Sequence, residues 1–225
     1  MCGRFTLSAN LDDLQGRFGF MARDLEYRPR YNIAPTQPVL VVSVDPENGN
    51  RRAESMRWGL VPFWAKDLKI GYRMINAVAE TAAGKPAFRA AFKKRRCLIL
   101  ADGFFEWRKE GKEKIPTYIF QKSKTPFAFA GLWETWRSPE GEQVRSCTIL
   151  TTTPNKLIQP IHNRMPVILS QETEALWLDP MTEEAETLTP LLIPSPAEEL
   201  TSIVVSGYVN SAKNSGPECV QPVEV

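Results

Sequence analysis

Apolar runs of strand length recur along the 225 residues of this chain. They are VLVVSV (39–44), CLILADGFFEW (97–107), TYIFQK (117–122), FAFAGLW (127–133), CTILTTT (147–153), PVILS (166–170) and TSIVVS (201–206). Each is rich in β-branched or aromatic residues and bounded by Gly, Pro, Asn or charged clusters, which predicts strands. DPENGN (45–50) and SPEGEQ (138–143) predict hairpin turns. Helical spacing is confined to DDLQGRFGF (12–20), KPAFRAAFKKRR (85–96) and QETEALWL (171–178). The second begins at Pro86, which suits a first turn. The third follows Ser170, a predicted N-cap, with Glu172 and Glu174 near the positive end of the helix dipole. No repeat, low-complexity tract or linker interrupts the pattern. Many strands with a few short helices predict one α+β domain over residues 1–225, built on a mostly antiparallel, barrel-like sheet with flanking short helices.

Composition narrows the function classes. Hydrophobic residues make up 43% and charged residues 24%, the balance of an ordinary soluble globular protein. No apolar run reaches membrane-spanning length. The opening stretch turns polar within a dozen residues, so no secretory segment is read and a cytoplasmic location, with reduced thiols, is expected. The four cysteines form no CxxC pair and there is one histidine, so neither a metal site nor another cofactor is expected. A net charge of +2 leaves nucleic-acid binding to local patches.

Cys2 is one processing step from being the first residue. Without Met1 it carries an α-amine and a thiol on adjacent carbons, whose ordinary pKa values lie near ~8 and ~8.5. That pair can condense with an aldehyde and close a five-membered thiazolidine ring, favoured because the second attack is intramolecular. Read alone, Cys2 fits a chance residue on a frayed end equally well. His162, the only histidine, lies in the loop PIHNRMP beside Asn163 and Arg164, polar company suited to proton transfer. Glu106 lies between Phe105 and Trp107, where desolvation would raise its pKa. Strand alternation alone instead turns Glu106 outward between two inward aromatics. Asn76 is a polar residue in the apolar stretch MINAVAET and needs a partner if buried. Lys85, Arg89, Lys93 and Arg96 follow helical spacing along one face, with Phe88 and Phe92 on another; such a stripe is a solvated face or a track for a phosphate backbone. In RWGLVPFWAKD, Trp58 reads as core and Trp64 as an exposed ring of the kind that stacks on unpaired bases.

Taken in order, MCGRF, YNIAP (31–35), RWGLVPFW (57–64), INAVAET (75–81), ADGFFEW (101–107), FAGLWE (129–134), TTTPN (151–155), IHNRMPVIL (161–169) and VNSAKN (209–214) resemble the SRAP family of abasic-site processing proteins over essentially the whole chain. The resemblance implies a protein that binds abasic sites in single-stranded DNA and cross-links to the ring-opened sugar through a thiazolidine. Lyase activity and autocatalytic removal of Met1 come with it. Cys2 then matches the nucleophile, Asn76 the residue that steadies the thiazolidine, Glu106 the acid/base carboxylate near the α-amine, and His162 the residue that opens the sugar hemiacetal. Arg4 and Arg164 match phosphate-contacting positions. Pro35 and Trp64 match apolar positions that wedge and stack at the lesion, favouring a junction of single- and double-stranded DNA. Arg89, on the basic stripe, is a further candidate DNA contact. No membrane partner is implied, and a monomer is expected. Two positions depart from the pattern: Val78 stands where the family usually has arginine, and Asn163 where many members have aspartate. Two other readings compete. A class II glutamine amidotransferase also exposes an N-terminal cysteine, and a single-strand binding module would need Trp64 and the basic stripe but no chemistry.

Overall fold

The computed structural model describes residues 2–22, 25–45 and 48–223. Its strands and helices, in chain order, are β1 (Arg4–Leu7), α1 (Leu11–Phe18), β2 (Arg30–Ile33), β3 (Pro38–Val44), β4 (Arg51–Trp58), β5 (Asn76–Val78), α2 (Ala79–Ala82), α3 (Arg89–Lys94), β6 (Arg96–Ala101), β7 (Gly103–Glu110), β8 (Glu113–Gln121), β9 (Phe127–Arg137), β10 (Gln143–Thr152), β11 (Met165–Pro166), β12 (Ile168–Leu169), α4 (Gln171–Leu178), α5 (Ala185–Leu188) and β13 (Leu200–Val204). The α+β expectation with a barrel-like sheet holds. Strand β3 pairs with β4, β4 with β10, β10 with β9, β9 with β6 and β6 again with β3, so these five strands close a ring. All but the β4–β10 pairing are antiparallel. A second sheet of five strands has the order β13-β8-β7-β1-β2.

The run 97–107 is not one strand. It divides at Asp102, where β6 leaves the ring and β7 enters the second sheet. The Asp102 carboxylate accepts the Ala9 N–H at 2.9 Å and the Ser8 hydroxyl at 2.8 Å, so the same residue also ends β1. The main core lies between the sheets and includes Phe5, Trp58, Leu98, Ile99, Phe104, Ile119 and Phe129. Burying each such side chain contributes about 1.5–3 kcal/mol. A smaller core of Phe105, Val205, Val209 and Cys219 fills the other face of the second sheet, under the C-terminal segment.

Helix α1 follows its local code. Asn10 caps it by accepting the Asp13 N–H at 2.8 Å, and Gly19 closes it at φ 65°, a conformation glycine adopts without a side-chain clash. Helix α4 spans the predicted residues, but the Ser170 side chain makes no cap bond to the backbone. The hydroxyl instead lies 3.2 Å from that of Thr173, while the Ser170 carbonyl accepts the Thr173 and Glu174 N–H groups. The basic stripe is shorter than its spacing predicts. Only Arg89–Lys94 is helical, and Arg96 is a buried strand residue whose guanidinium donates to the carbonyls of Phe92, Lys93, Trp177 and Asp179. The predicted SPEGEQ turn joins β9 to β10, with the Ser138 N–H donating to the Glu142 carbonyl. Of the DPENGN turn, Pro46 and Glu47 lie outside the described residues.

Candidate active site

Strand β1 sets the position of the chain start. Its register against β7 pairs Arg4 with Phe105 and Phe5 with Phe104. Gly3 and Cys2 precede the paired residues, and the Cys2 side chain packs into the main core. Cys2 is fully buried, not a frayed end. Its thiol donates to the Arg4 carbonyl at 3.7 Å. Burial pushes the thiol pKa far up, and the negative charge of Glu106 adds to the rise.

Glu106 faces the interior with 3% exposure, so strand alternation misleads here: it is Phe105 that turns to the smaller core. Burial raises its pKa from the ordinary 4.5 to about 7, against the lowering effect of the positive charge at the chain start. Such a carboxyl can both hold and release a proton near neutral pH. Asn76 opens β5, which lies parallel to β10 with Asn76 opposite Ile149. Its side-chain amide donates to the Cys2 carbonyl at 2.8 Å. Its Oδ1 is buried and accepts no hydrogen bond among the described residues.

His162 precedes β11, in a turn where its N–H donates to the Ile158 carbonyl at 2.9 Å. Ring atom Nδ1 lies 3.0 Å from the Arg164 backbone N–H and 3.2 Å from the Arg164 carbonyl. That anchorage directs Nε2 away from the Arg164 peptide. Burial lowers the imidazole pKa, and the positive charge at the chain start lowers it further. The charge of Glu106 acts on the Cys2 thiol, which sets these two groups near each other.

The candidate DNA contacts divide into two groups. Arg4 and Arg164 are engaged inside the protein. Arg4 donates to Asn32 Oδ1 at 3.0 Å and to the carbonyls of Val209 at 2.9 Å and Asn210 at 3.2 Å. It therefore ties the VNSAKN segment to the chain start, and Asn32 reinforces the tie by donating to Val209, Ser211 and Asn214 carbonyls. Arg164 forms a bidentate pair with Glu80 at 2.9 and 2.7 Å. Trp64, Phe63 and Tyr72, by contrast, are 50%, 63% and 61% exposed. The sequence places Phe63 and Trp64 together in one aromatic loop and singles out Trp64 as the exposed ring, whereas Tyr72 carries no comparable signal. Their loop is braced where Gly59, at φ 122°, packs backbone to backbone on Gly71; a Cβ on Gly59 would lie 2.6 Å from the Gly71 carbonyl oxygen. The Trp136 indole N–H adds a brace at the Ala65 carbonyl, 2.6 Å away. Trp58 is core, as its pattern suggests, with its indole donating to the Ile75 carbonyl.

Pro35 is half-buried in a turn whose next residue, Thr36, has φ 72°, unusual for a β-branched side chain. Hydrogen bonds from Thr36 N–H to the Trp58 carbonyl at 2.8 Å and from Arg57 to the Thr36 carbonyl at 3.0 Å hold it there. Arg89 is exposed on α3. Among the described residues, no group of three His, Cys, Asp or Glu side chains could hold a metal ion, and no helix is long and apolar enough to cross a membrane.

Residues 1–212 match the family model described as SOS response associated peptidase (SRAP). The chain is 48% identical over 224 residues to abasic site processing protein YoqW of Bacillus subtilis, covering 98% of this chain and 99% of that one. It is 33% identical over 265 residues to abasic site processing protein HMCES of Xenopus tropicalis, covering 99% and 78%. A crystal structure of a protein from Bacteroides thetaiotaomicron superposes with a TM-score of 0.89 at 29% identity, covering 99% of this chain and all of that one. With one family model spanning nearly its whole length and close relatives matching end to end, this chain belongs to the SRAP family.

Proposed function

We propose that this protein processes abasic sites in single-stranded DNA by cross-linking to them through Cys2 after Met1 is removed. The carrying observation is the convergence on Cys2 of a buried carboxyl with a pKa of about 7 and an amide that holds its carbonyl at 2.8 Å. Relatives named as abasic site processing proteins supply the substrate class.

The chemistry follows from the groups present. The free α-amine of Cys2 attacks C1′ of the ring-opened sugar; loss of one water gives an imine. The thiol then adds across the C=N bond. Sulfur joins C1′, the thiol proton passes to nitrogen, and a thiazolidine results. A thiol whose pKa burial raises needs a base to deliver it as thiolate, and we assign that role to Glu106, whose negative charge acts on the thiol. In its protonated form Glu106 returns a proton to the departing hydroxyl of the carbinolamine. His162 moves the proton that opens the hemiacetal to the aldehyde. Asn76 fixes the Cys2 carbonyl, so the amine and thiol keep their geometry.

Ring closure also has a protective logic. An imine at C1′ acidifies the C2′ proton and so invites elimination of the 3′ phosphate, the lyase reaction. Thiazolidine formation removes the C=N bond and with it that activation. Met1 release is the same site working on a peptide: one water is consumed, with Glu106 as the base. The exposed rings Phe63, Trp64 and Tyr72 supply stacking surface for unpaired bases.

A denaturing gel tests the reading. Protein mixed with single-stranded DNA carrying one abasic site should give a band that survives denaturation and disappears for Cys2→Ala. A shift seen only on native gels would leave a binding module without chemistry, and glutamine hydrolysis with no DNA adduct would point to an amidotransferase.

A further inference from the structure

Glu80 belongs to none of the roles above, yet it joins two of the elements that carry them. It lies in α2, four residues after Asn76, and its carboxylate grips both terminal nitrogens of Arg164 at 2.9 and 2.7 Å. To reach it, the Arg164 side chain crosses β10. Thr151 of β10 pairs with Val78 of β5 on one side and Pro166 of β11 on the other. On the way, Arg164 Nη2 also donates to the Thr151 carbonyl. At its other end the Arg164 backbone N–H meets His162 Nδ1 at 3.0 Å. One continuous path therefore runs from the Asn76 segment through Glu80 and Arg164 to the imidazole.

Fork-to-fork pairing fixes a plane as well as a distance. The β10–β11 pairing already sets the register from Met165 onward; a single hydrogen bond would leave the His162–Arg164 turn before it free to tilt, whereas the clamp fixes its orientation. The ionised state of Glu80 is favoured first by the hydrogen bonds from Arg164, which hold its carboxyl below the usual range.

We propose that Glu80 is a positioning residue: by clamping Arg164 across β10 it orients His162 relative to the Asn76 segment and Cys2. The role rests on the cross-linking reading above. It gives Glu80 no contact with DNA and no proton to carry.

The test is a single-turnover cross-linking rate at saturating abasic single-stranded DNA, with the Kd measured separately on DNA carrying the tetrahydrofuran analogue, which has no aldehyde. Glu80→Gln should slow the first-order rate about tenfold, because a displaced proton donor is costly, while moving Kd less than about threefold. Glu80→Asp, which keeps the charge, should recover much of the rate. In a His162→Gln background, Glu80→Gln should add less than about twofold, as expected of residues acting on one path. An unchanged rate overturns the positioning role, as does the same fold-loss with and without His162, or a loss confined to Kd. No adduct from the wild-type chain overturns the cross-linking reading as well, whereas a wild-type adduct with unaltered Glu80→Gln kinetics overturns only the role of Glu80.

Discussion

Glu106 makes the stability of this protein depend on pH in a calculable direction. In the unfolded chain the carboxyl titrates near 4.5, and in the folded protein near 7, chiefly because it is buried. Below 4.5 both states hold the proton, and well above 7 neither does. Between those values the folded state binds the proton that the unfolded state has lost, so stability falls as pH rises through the window. At 1.36 kcal/mol for each pH unit of displacement, the loss approaches about 3 kcal/mol on the alkaline side. Glu106→Gln has nothing to titrate. Urea unfolding of wild type and variant, compared near pH 4 and pH 8.5, should show the difference in unfolding free energy moving by about 3 kcal/mol in favour of the variant. With a slope of roughly 2–3 kcal/mol per molar, that is a relative shift of about 1 M in midpoint. Groups that titrate in both proteins cancel in the comparison. Parallel pH profiles would rule out the raised pKa, because a carboxyl that titrates alike in both states has no poised proton to offer the reaction.

Other predictions concern the surrounding frame. Asn76→Ala removes the bond to the Cys2 carbonyl and leaves that acceptor unpaired, which should cost about 1–3 kcal/mol in thermal or urea unfolding; it should also slow adduct formation at saturating DNA. Val78→Arg, restoring a cation at the edge of β5, should steepen the dependence of log binding constant on log salt by about one unit without changing the covalent rate. Gly59→Ala places a methyl 2.6 Å from the Gly71 carbonyl oxygen at a φ of 122°, so its melting temperature should drop by several degrees, corresponding to at least about 2 kcal/mol.

Much of the fold was legible because its strands are buried on both faces and so read as continuous apolar runs, VLVVSV of β3 above all. Strand β4 was missed because RRAESMRW carries charges at its exposed end and turns apolar only toward Met56 and Trp58. Strand β1 was missed because four residues carry no usable period. At the site, residue types were visible but their contacts were not. Alternation turned Glu106 outward, since it could not reveal that both faces of the second sheet are covered. Arg4 and Arg164 match phosphate-contacting positions, and nothing local points to their partners within the protein, Val209 and Asn210 for one and Glu80 for the other. Cys219, near the chain end and without a CxxC partner, carries no local sign of burial, yet it is fully buried in the smaller core, with its thiol donating to the Asn214 carbonyl at 3.6 Å. Each miss depends on long-range pairing, which local pattern does not encode.

In the cross-linking reaction proposed above, the chain start itself becomes the nucleophile. Intact-mass and peptide-mapping analysis of the adduct with abasic single-stranded DNA tests it most directly. A thiazolidine gives a mass equal to the chain without Met1 plus the DNA, less one water, with the DNA remnant on the peptide that begins at Cys2. An adduct on an internal lysine, or on a peptide that still carries Met1, would contradict it.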